Sequence, residues 1–333
     1  MNEKQIRKIW KKIKKYPNVV GFDSSLRPRK KNKREIPNTK CLRIYVKTKL
    51  PKSYFKNHDG MIPRTIEGFE TDIEEIGLPR ALAVSEDEDS ESDLKDPKKR
   101  YRPYIAGTSA CHYKCTACTS TAFFKDKETS KILFGLNNHC GCQENKAKIG
   151  DPWLQPGPYD GGKYPDDIVA RLYRCVEIKF NEFTCPYRNF FHKIYRFFKG
   201  EQFNKVDICF GEPSVFYGIK VLNISSAFKG VKEPEIGMQV QKMGRTSGYT
   251  KGEIVSTSWT GRVQYSRGIA MFTDCILVEG KGFSAGGDSS SPVFDMEGNL
   301  IGILFAGSDT HTILCKIKNI EEEGKVEVIT LES

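Results

Sequence analysis

Apolar positions recur along this chain with two different periods. In residues 3–15, Ile6, Ile9, Trp10 and Ile13 fall three and four apart, which gathers them on one face of a helix, and Pro17 stops it. The runs at 19–22, 41–46 and 70–76 read as strands; in the second, Leu42, Ile44 and Val46 alternate with Arg43 and Tyr45. From residue 101 onward short apolar runs dominate, at 120–124, 131–136, 176–180, 206–210, 215–221, 238–243, 253–258, 271–278, 292–295 and 300–305. Gly, Asn, Asp and Pro turns separate them, the pattern of an all-β sandwich or a pair of barrels. An aromatic and basic insertion at 186–199 interrupts the series as a helix or surface excursion. Residues 85–100, SEDEDSESDLKDPKKR, carry almost no aliphatic and no aromatic side chain. Such a stretch cannot bury enough surface to offset its chain entropy and reads as a flexible linker. The expected organisation is a small basic α+β module over 1–84, a charged linker over 85–100, and a mainly β domain over 101–333.

Composition changes this picture in one respect. Of the 333 residues, 38% are hydrophobic and 29% charged, ordinary for a soluble globular protein. No apolar run approaches the roughly 20 residues that span a bilayer. The basic start has no continuous apolar stretch of a secretory signal, so a cytoplasmic location is expected. The net charge of +11 is unevenly spread: residues 1–60 hold 19 Lys and Arg against 4 Asp and Glu. A basic face of this kind either attracts nucleic acid or an anionic surface, or only keeps a helix and loop solvated.

The chemistry concentrates at Gly286-Gly287-Asp288-Ser289-Ser290-Ser291-Pro292. Two glycines permit a tight turn with unusual dihedrals. Such a turn can aim the backbone N–H groups of Gly287 and Ser289 at one point, an oxyanion hole beside a serine nucleophile. A hydroxyl nucleophile also needs a base within hydrogen-bond reach and a carboxylate to orient that base. Of the five histidines, His139 ends an expected strand upstream; its ordinary titration near pH 6.5 suits taking a serine proton at neutral pH. Candidate carboxylates lie between the two in the chain. Asp207 in Lys205-Val206-Asp207-Ile208 is flanked by apolar residues and needs a partner, whereas Asp166 and Asp167 lie in an exposed-looking turn.

Four segments in order carry a resemblance. Gly-Asp-Ser-x-Ser-Pro-Val-Phe-Asp from Gly287, followed by Gly298-Asn299-Leu300, resembles the nucleophile region of trypsin-like serine peptidases, most of all a microbial branch free of secretory signals. The run 133–139 resembles the catalytic-histidine strand of that family, 147–162 the loop after it, and 242–252 the first hairpin of its second barrel. The resemblance spans roughly residues 101–310, and 17–80 are similar to a leader module of the same peptidases. It implies a chymotrypsin-like double β-barrel, a His139, Asp207, Ser289 triad in the chain order of the chymotrypsin class, protein or peptide substrates, and no cofactor. It also implies a specificity pocket based at Phe283 and Ser284, with Phe305, Ala306 and Gly307 as its far wall and Gly307 offering backbone groups to an extended substrate. With Phe rather than Asp at that base, a small or apolar side chain is expected before the cleaved bond. Three positions depart from the family: Ser290 stands where it has Gly, and Cys118 and Cys140 replace its usual Gly and Val. A catalytically degenerate interaction module is the alternative reading.

Eleven cysteines are many for a cytosolic protein. Cys111, Cys115, Cys118, Cys140 and Cys142 cluster around the expected first barrel. Reduced thiols and a tetrahedral metal site both fit the spacing. The family resemblance adds a third reading, a disulfide from Cys140 to Cys115 or Cys118.

Overall fold

The computed structural model describes residues 1–16, 18–31, 34–51, 54–55, 60–81, 94–187, 189, 192 and 200–332. His58, most of the 186–199 insertion and the acidic half of the 85–100 stretch lie outside the described residues.

The chain is mainly β, with a helix and strands ahead of the main body, as its hydrophobic pattern leads one to expect. Helix Glu3–Ile13 starts on a capping box in which Asn2 and Gln5 satisfy each other's backbone N–H groups. Its buried face, Ile9, Trp10 and Ile13, packs with Phe22, Leu42 and Ile44 of the strands behind it and with Met271 of the main body. That mixed cluster reflects the sheet itself. Strand Val19–Asp23 pairs on one side with Arg34–Val46 and on the other with Gly248–Gln264, so the first segment extends a sheet of the C-terminal half. Gly21 makes the join possible: a Cβ there would lie 2.6 Å from the Thr260 carbonyl oxygen.

Six strands of that half close a ring: Gln239–Gly244, Gly248–Gln264, Gly268–Glu279, His311–Lys316, Leu300–Gly307 and Pro292–Asp295. The other half is a sheet of seven strands running from Val326–Val328 through Phe123–Asp126, Ile132–Leu136, Cys209–Pro213, Ile168–Cys175 and Pro152–Leu154 to Cys111–His112. One aromatic-rich core, including Phe123, Phe134, Phe210, Phe272 and Phe305, runs through both halves. Of the expected run at 176–180 only Phe180 is in a strand, Phe180–Phe183; Ile168–Cys175 lies just before the run, and His311–Lys316 goes unanticipated because its apolar run, Ile313–Cys315, is only three residues long.

Two sequence expectations read differently in three dimensions. Of the stretch expected as linker, residues 95–100 are tied down: Lys95 exchanges hydrogen bonds with Asn223, and Arg100 pairs with Asp167 at 2.8 Å. Much of the basic charge of residues 1–60 is also neutralised locally. Lys8 and Lys12 meet Glu67, Lys14 meets Glu201, and the buried Arg43 lies among Glu35, Asp72 and Glu74. Among the described residues no helix is long and apolar enough to cross a membrane.

Candidate active site

Strand Ile132–Leu136 ends at Asn137, and the chain turns at once into a one-turn helix, Asn138–Gly141, that carries His139. Asp207 sits two residues before strand Cys209–Pro213 rather than within it. Because Leu136 pairs with Cys209, the two strand ends bring His139 and Asp207 side by side. His139 Nδ1 lies 2.7 Å from Asp207 Oδ2, and the His139 backbone N–H donates to Oδ1 at 3.2 Å. A carboxylate only accepts, so Nδ1 carries the ring proton and Nε2 is left as an acceptor. Nε2 lies 2.8 Å from Ser289 Oγ. The three residues singled out in the sequence therefore meet, with His139 between the other two.

Burial and charge act on His139 in opposite directions. Desolvation pulls its pKa down, the Asp207 carboxylate and its hydrogen bond push it up, and the net result is a value above the ordinary histidine range. Asp207 is fully buried but well supplied with donors. Besides His139, the Tyr265 hydroxyl donates to Oδ2 at 2.8 Å, and the Tyr265 ring stands edge-on to the imidazole at 5.9 Å between centroids. Tyr265 belongs to the tight hairpin between Gly248–Gln264 and Gly268–Glu279. Glu144 fixes that hairpin by accepting from the backbone N–H groups of Ser266 and Arg267. Nothing in the local sequence marks Tyr265, since it lies 58 residues from its partner.

The Ser289 turn is held from beneath. Gly287 has φ +95°, which a glycine adopts freely, and a Cβ there would strike Thr246 Oγ1 at 2.5 Å. The N–H groups of Gly287 and Ser289 donate to no other described group, whereas Asp288 N–H, Ser290 N–H and Ser291 N–H are all engaged. Thr119 clamps the opposite side: its N–H donates to the Ser289 carbonyl at 2.8 Å and its hydroxyl to that of Gly287 at 3.0 Å. Asp288 points inward and is fully buried with Lys242, Nζ to Oδ2 3.1 Å. It also accepts from the N–H groups of Thr246, Ser247 and Ala285. Burial draws the Lys242 pKa below its usual value, and Asp288 opposes that pull.

Ser290, where the resemblance expects glycine, has φ +77°. The position does demand the left-handed conformation, and a serine occupies it. Its buried hydroxyl accepts the Asn137 N–H at 2.7 Å, at the head of the helix that carries His139.

Within the cysteine cluster the structure forms disulfides and leaves two thiols. Cys118 pairs with Cys140, directly after His139, and Cys142 pairs with Cys175, which lay outside the cluster considered in the sequence. Cys118, Cys140 and His139 are close enough to be taken for a metal site, but the two sulfurs are bonded to each other. Cys111 and Cys115 remain thiols; a hydrogen bond with Cys111, and secondarily the charge of His139, bring Cys115 down to about 7.

Of the residues expected to line a specificity pocket, Ser284 is linked to Gly307 through Thr312, which pairs with Gly307, whereas Phe283 and Phe305 lie in separate core clusters. Phe283 is fully buried against Val240, Ile254 and Val278, and Ser284 Oγ meets Thr312 Oγ1 at 2.6 Å. Phe305, Ala306 and Gly307 end their strand as expected, but the Ala306–Gly307 edge is already paired, in cis, with Arg80–Ala81. Of the rival acids, Asp167 pairs with Arg100. The remaining described histidines have other surroundings: His112 bonds to Asp151, His311 to Thr310, and the His192 ring stands edge-on to Phe183.

No protein-family model and no curated protein matches this chain. Among solved structures it is similar to Thermobifida fusca Protease A, with 15% identity and a TM-score of 0.45, over 68% of this chain and 98% of that one. It is similar to Cellulomonas bogoriensis chymotrypsin at 16% identity and a TM-score of 0.44, over 68% and 98% of the two chains. A glutamic acid specific serine protease that uses a histidine triad in substrate binding matches at 14% identity and a TM-score of 0.44, over 68% of this chain and all of that one.

Proposed function

We propose that the chain is a serine endopeptidase that hydrolyses protein or peptide substrates through an acyl-enzyme. The observation that carries this reading is His139 bridging Ser289 Oγ at 2.8 Å and Asp207 at 2.7 Å, beside two undonated N–H groups in one turn. Each group then has a task. Ser289 Oγ attacks the substrate carbonyl carbon and gives its proton to His139 Nε2, while Asp207 stabilises the imidazolium without taking the proton. The N–H groups of Gly287 and Ser289 hold the developing oxyanion. The imidazolium protonates the leaving amine, and water, deprotonated by the same histidine, releases the acid product and restores the serine.

The residues the resemblance assigns to a specificity pocket, Phe283, Ser284, Phe305, Ala306 and Gly307, include no acid, which supports a small or apolar rather than basic side chain before the cleaved bond. A fluorophosphonate probe tests the chemistry. Wild type should be labelled and the Ser289→Ala, His139→Ala and Asp207→Ala chains should lose labelling by orders of magnitude. Undiminished labelling of Ser289→Ala removes the assignment. Peptides with Arg or Lys before the scissile bond, cleaved better than those with Ala or Leu, would remove the specificity.

A further inference from the structure

An extended peptide docks on a protease of this kind by adding an antiparallel strand to an exposed sheet edge, its main chain supplying the affinity. The edge expected for that purpose is Ala306–Gly307, and it is not open. Arg80–Ala81 pairs with it antiparallel, Ala81 opposite Ala306 and Arg80 opposite Gly307. The same two-residue strand is held on its other side by Gly248–Gln264: Arg80 lies opposite Gln264 in parallel, and Gln264 N–H donates to the Pro79 carbonyl at 3.1 Å.

The approach to this edge is built rather than incidental. Ser308 Oγ donates to the Ile76 carbonyl at 2.5 Å. Gly77 then turns the chain with φ +75°, and a Cβ at that position would stand 2.9 Å from Ser308 Cβ. Only glycine combines that dihedral with that approach. Ile76 and Pro79 are buried, and Leu78 and Ala81 pack against the main core. A cavity of about 550 Å³ opens where the strand ends, lined by Arg80 and Ala81 on one side and by His139, Cys118 and Tyr265 on others. Ser289 itself is fully buried. The segment thus fills the Ala306–Gly307 edge and ends at a cavity that His139 also lines.

We infer that residues 76–81 are a resident inhibitor strand, occupying in cis the main-chain edge that an extended peptide must use. This rests on the serine-peptidase reading for what the edge is for, but the occupancy is a matter of pairing alone. A tethered strand competes at an effective concentration on the order of millimolar. A free peptide of ordinary affinity is therefore excluded until the strand is displaced, whereas a small reagent that needs only Ser289 and His139 is not held off by edge pairing.

The test uses the full chain and two variants that dislodge the strand differently. Gly77→Val drives a side chain into Ser308; Ala81→Pro removes a backbone donor from the strand itself. In a Ser289→Ala background, a fluorescein-labelled pentapeptide of apolar residues is titrated and its anisotropy followed. Both variants should bind it at least tenfold more tightly than the parent. Equal affinity in all three overturns the inference. Fluorophosphonate labelling of the same variants with Ser289 restored keeps the two readings apart. Labelling at the parental rate shows the site intact, so that unchanged peptide affinity counts against the inhibitor strand alone. Tighter peptide binding without labelling in any chain, parent included, supports the strand and removes the catalytic reading.

Discussion

Ser290 gives the sharpest test of how this site is built, because one residue carries two opposed energies. Its φ of +77° costs a side chain with a Cβ about 1–2 kcal/mol relative to an ordinary conformation. Its hydroxyl satisfies the buried Asn137 N–H at 2.7 Å, and leaving such a donor unpaired costs about 1–3 kcal/mol. Ser290→Ala removes the bond and keeps the strain, so it should destabilise by about 1–3 kcal/mol. Ser290→Gly removes both. The relief of about 1–2 kcal/mol, less about 0.5–1 kcal/mol for glycine's extra chain entropy, should leave it roughly 1 kcal/mol more stable than the alanine variant. Urea unfolding with the disulfides intact resolves this: with a slope of about 3 kcal/mol/M, the two midpoints should differ by about 0.3 M. Asn137 heads the helix bearing His139, so both variants should also lose turnover. An alanine variant as stable as wild type would mean the hydroxyl contributes nothing, and one more stable than the glycine variant would mean the turn is not strained; either refutes the reasoning.

Three further outcomes follow from the same geometry. His139 must be neutral to accept the serine proton, and its pKa is raised in the folded chain, so the acid limb of kcat/KM should lie above about pH 6.5. The sign for stability is the reverse: the His139–Asp207 interaction stabilises fully below the unfolded pKa and is lost as pH rises through the folded one. Asp207→Asn should move the limb to lower pH and cut turnover by about 10⁴, read from a pH–rate profile. Lys242→Ala would strand the buried Asp288 carboxylate and should cost about 3–5 kcal/mol, measured by denaturant unfolding, with fluorophosphonate labelling lost as the Ser289 turn collapses. The disulfides close loops with sequence separations of 22 and 33 residues, and replacing either by a serine pair should destabilise by about 3–4 kcal/mol, seen as a fall in the urea midpoint.

How much of this was legible beforehand depends on how far apart the interacting residues lie in the chain. Local patterns carried the helix at the start, because Ile9, Trp10 and Ile13 repeat at helical spacing, and most of the strands, because apolar runs were cut by turn residues. They drew attention to Ser289, whose glycines and proline are its neighbours, while the family resemblance singled out His139 and Asp207; folding brings the last two together because Leu136 and Cys209 pair. What supports them was not legible. Tyr265 reaches Asp207 from a hairpin, Thr119 holds the Ser289 turn across 168 residues, and Lys242 is an ordinary-looking strand lysine until Asp288 is folded against it. The choice of Cys118 over Cys115, and the bond from Cys142 to Cys175, were likewise set by which sulfurs the strands bring together. Above all, no pattern within residues 76–81 says that they will join the edge at Ala306–Gly307. Backbone pairing is indifferent to side-chain identity, so the sequence determined which segments could form strands, and only the tertiary structure decided which edge each would fill.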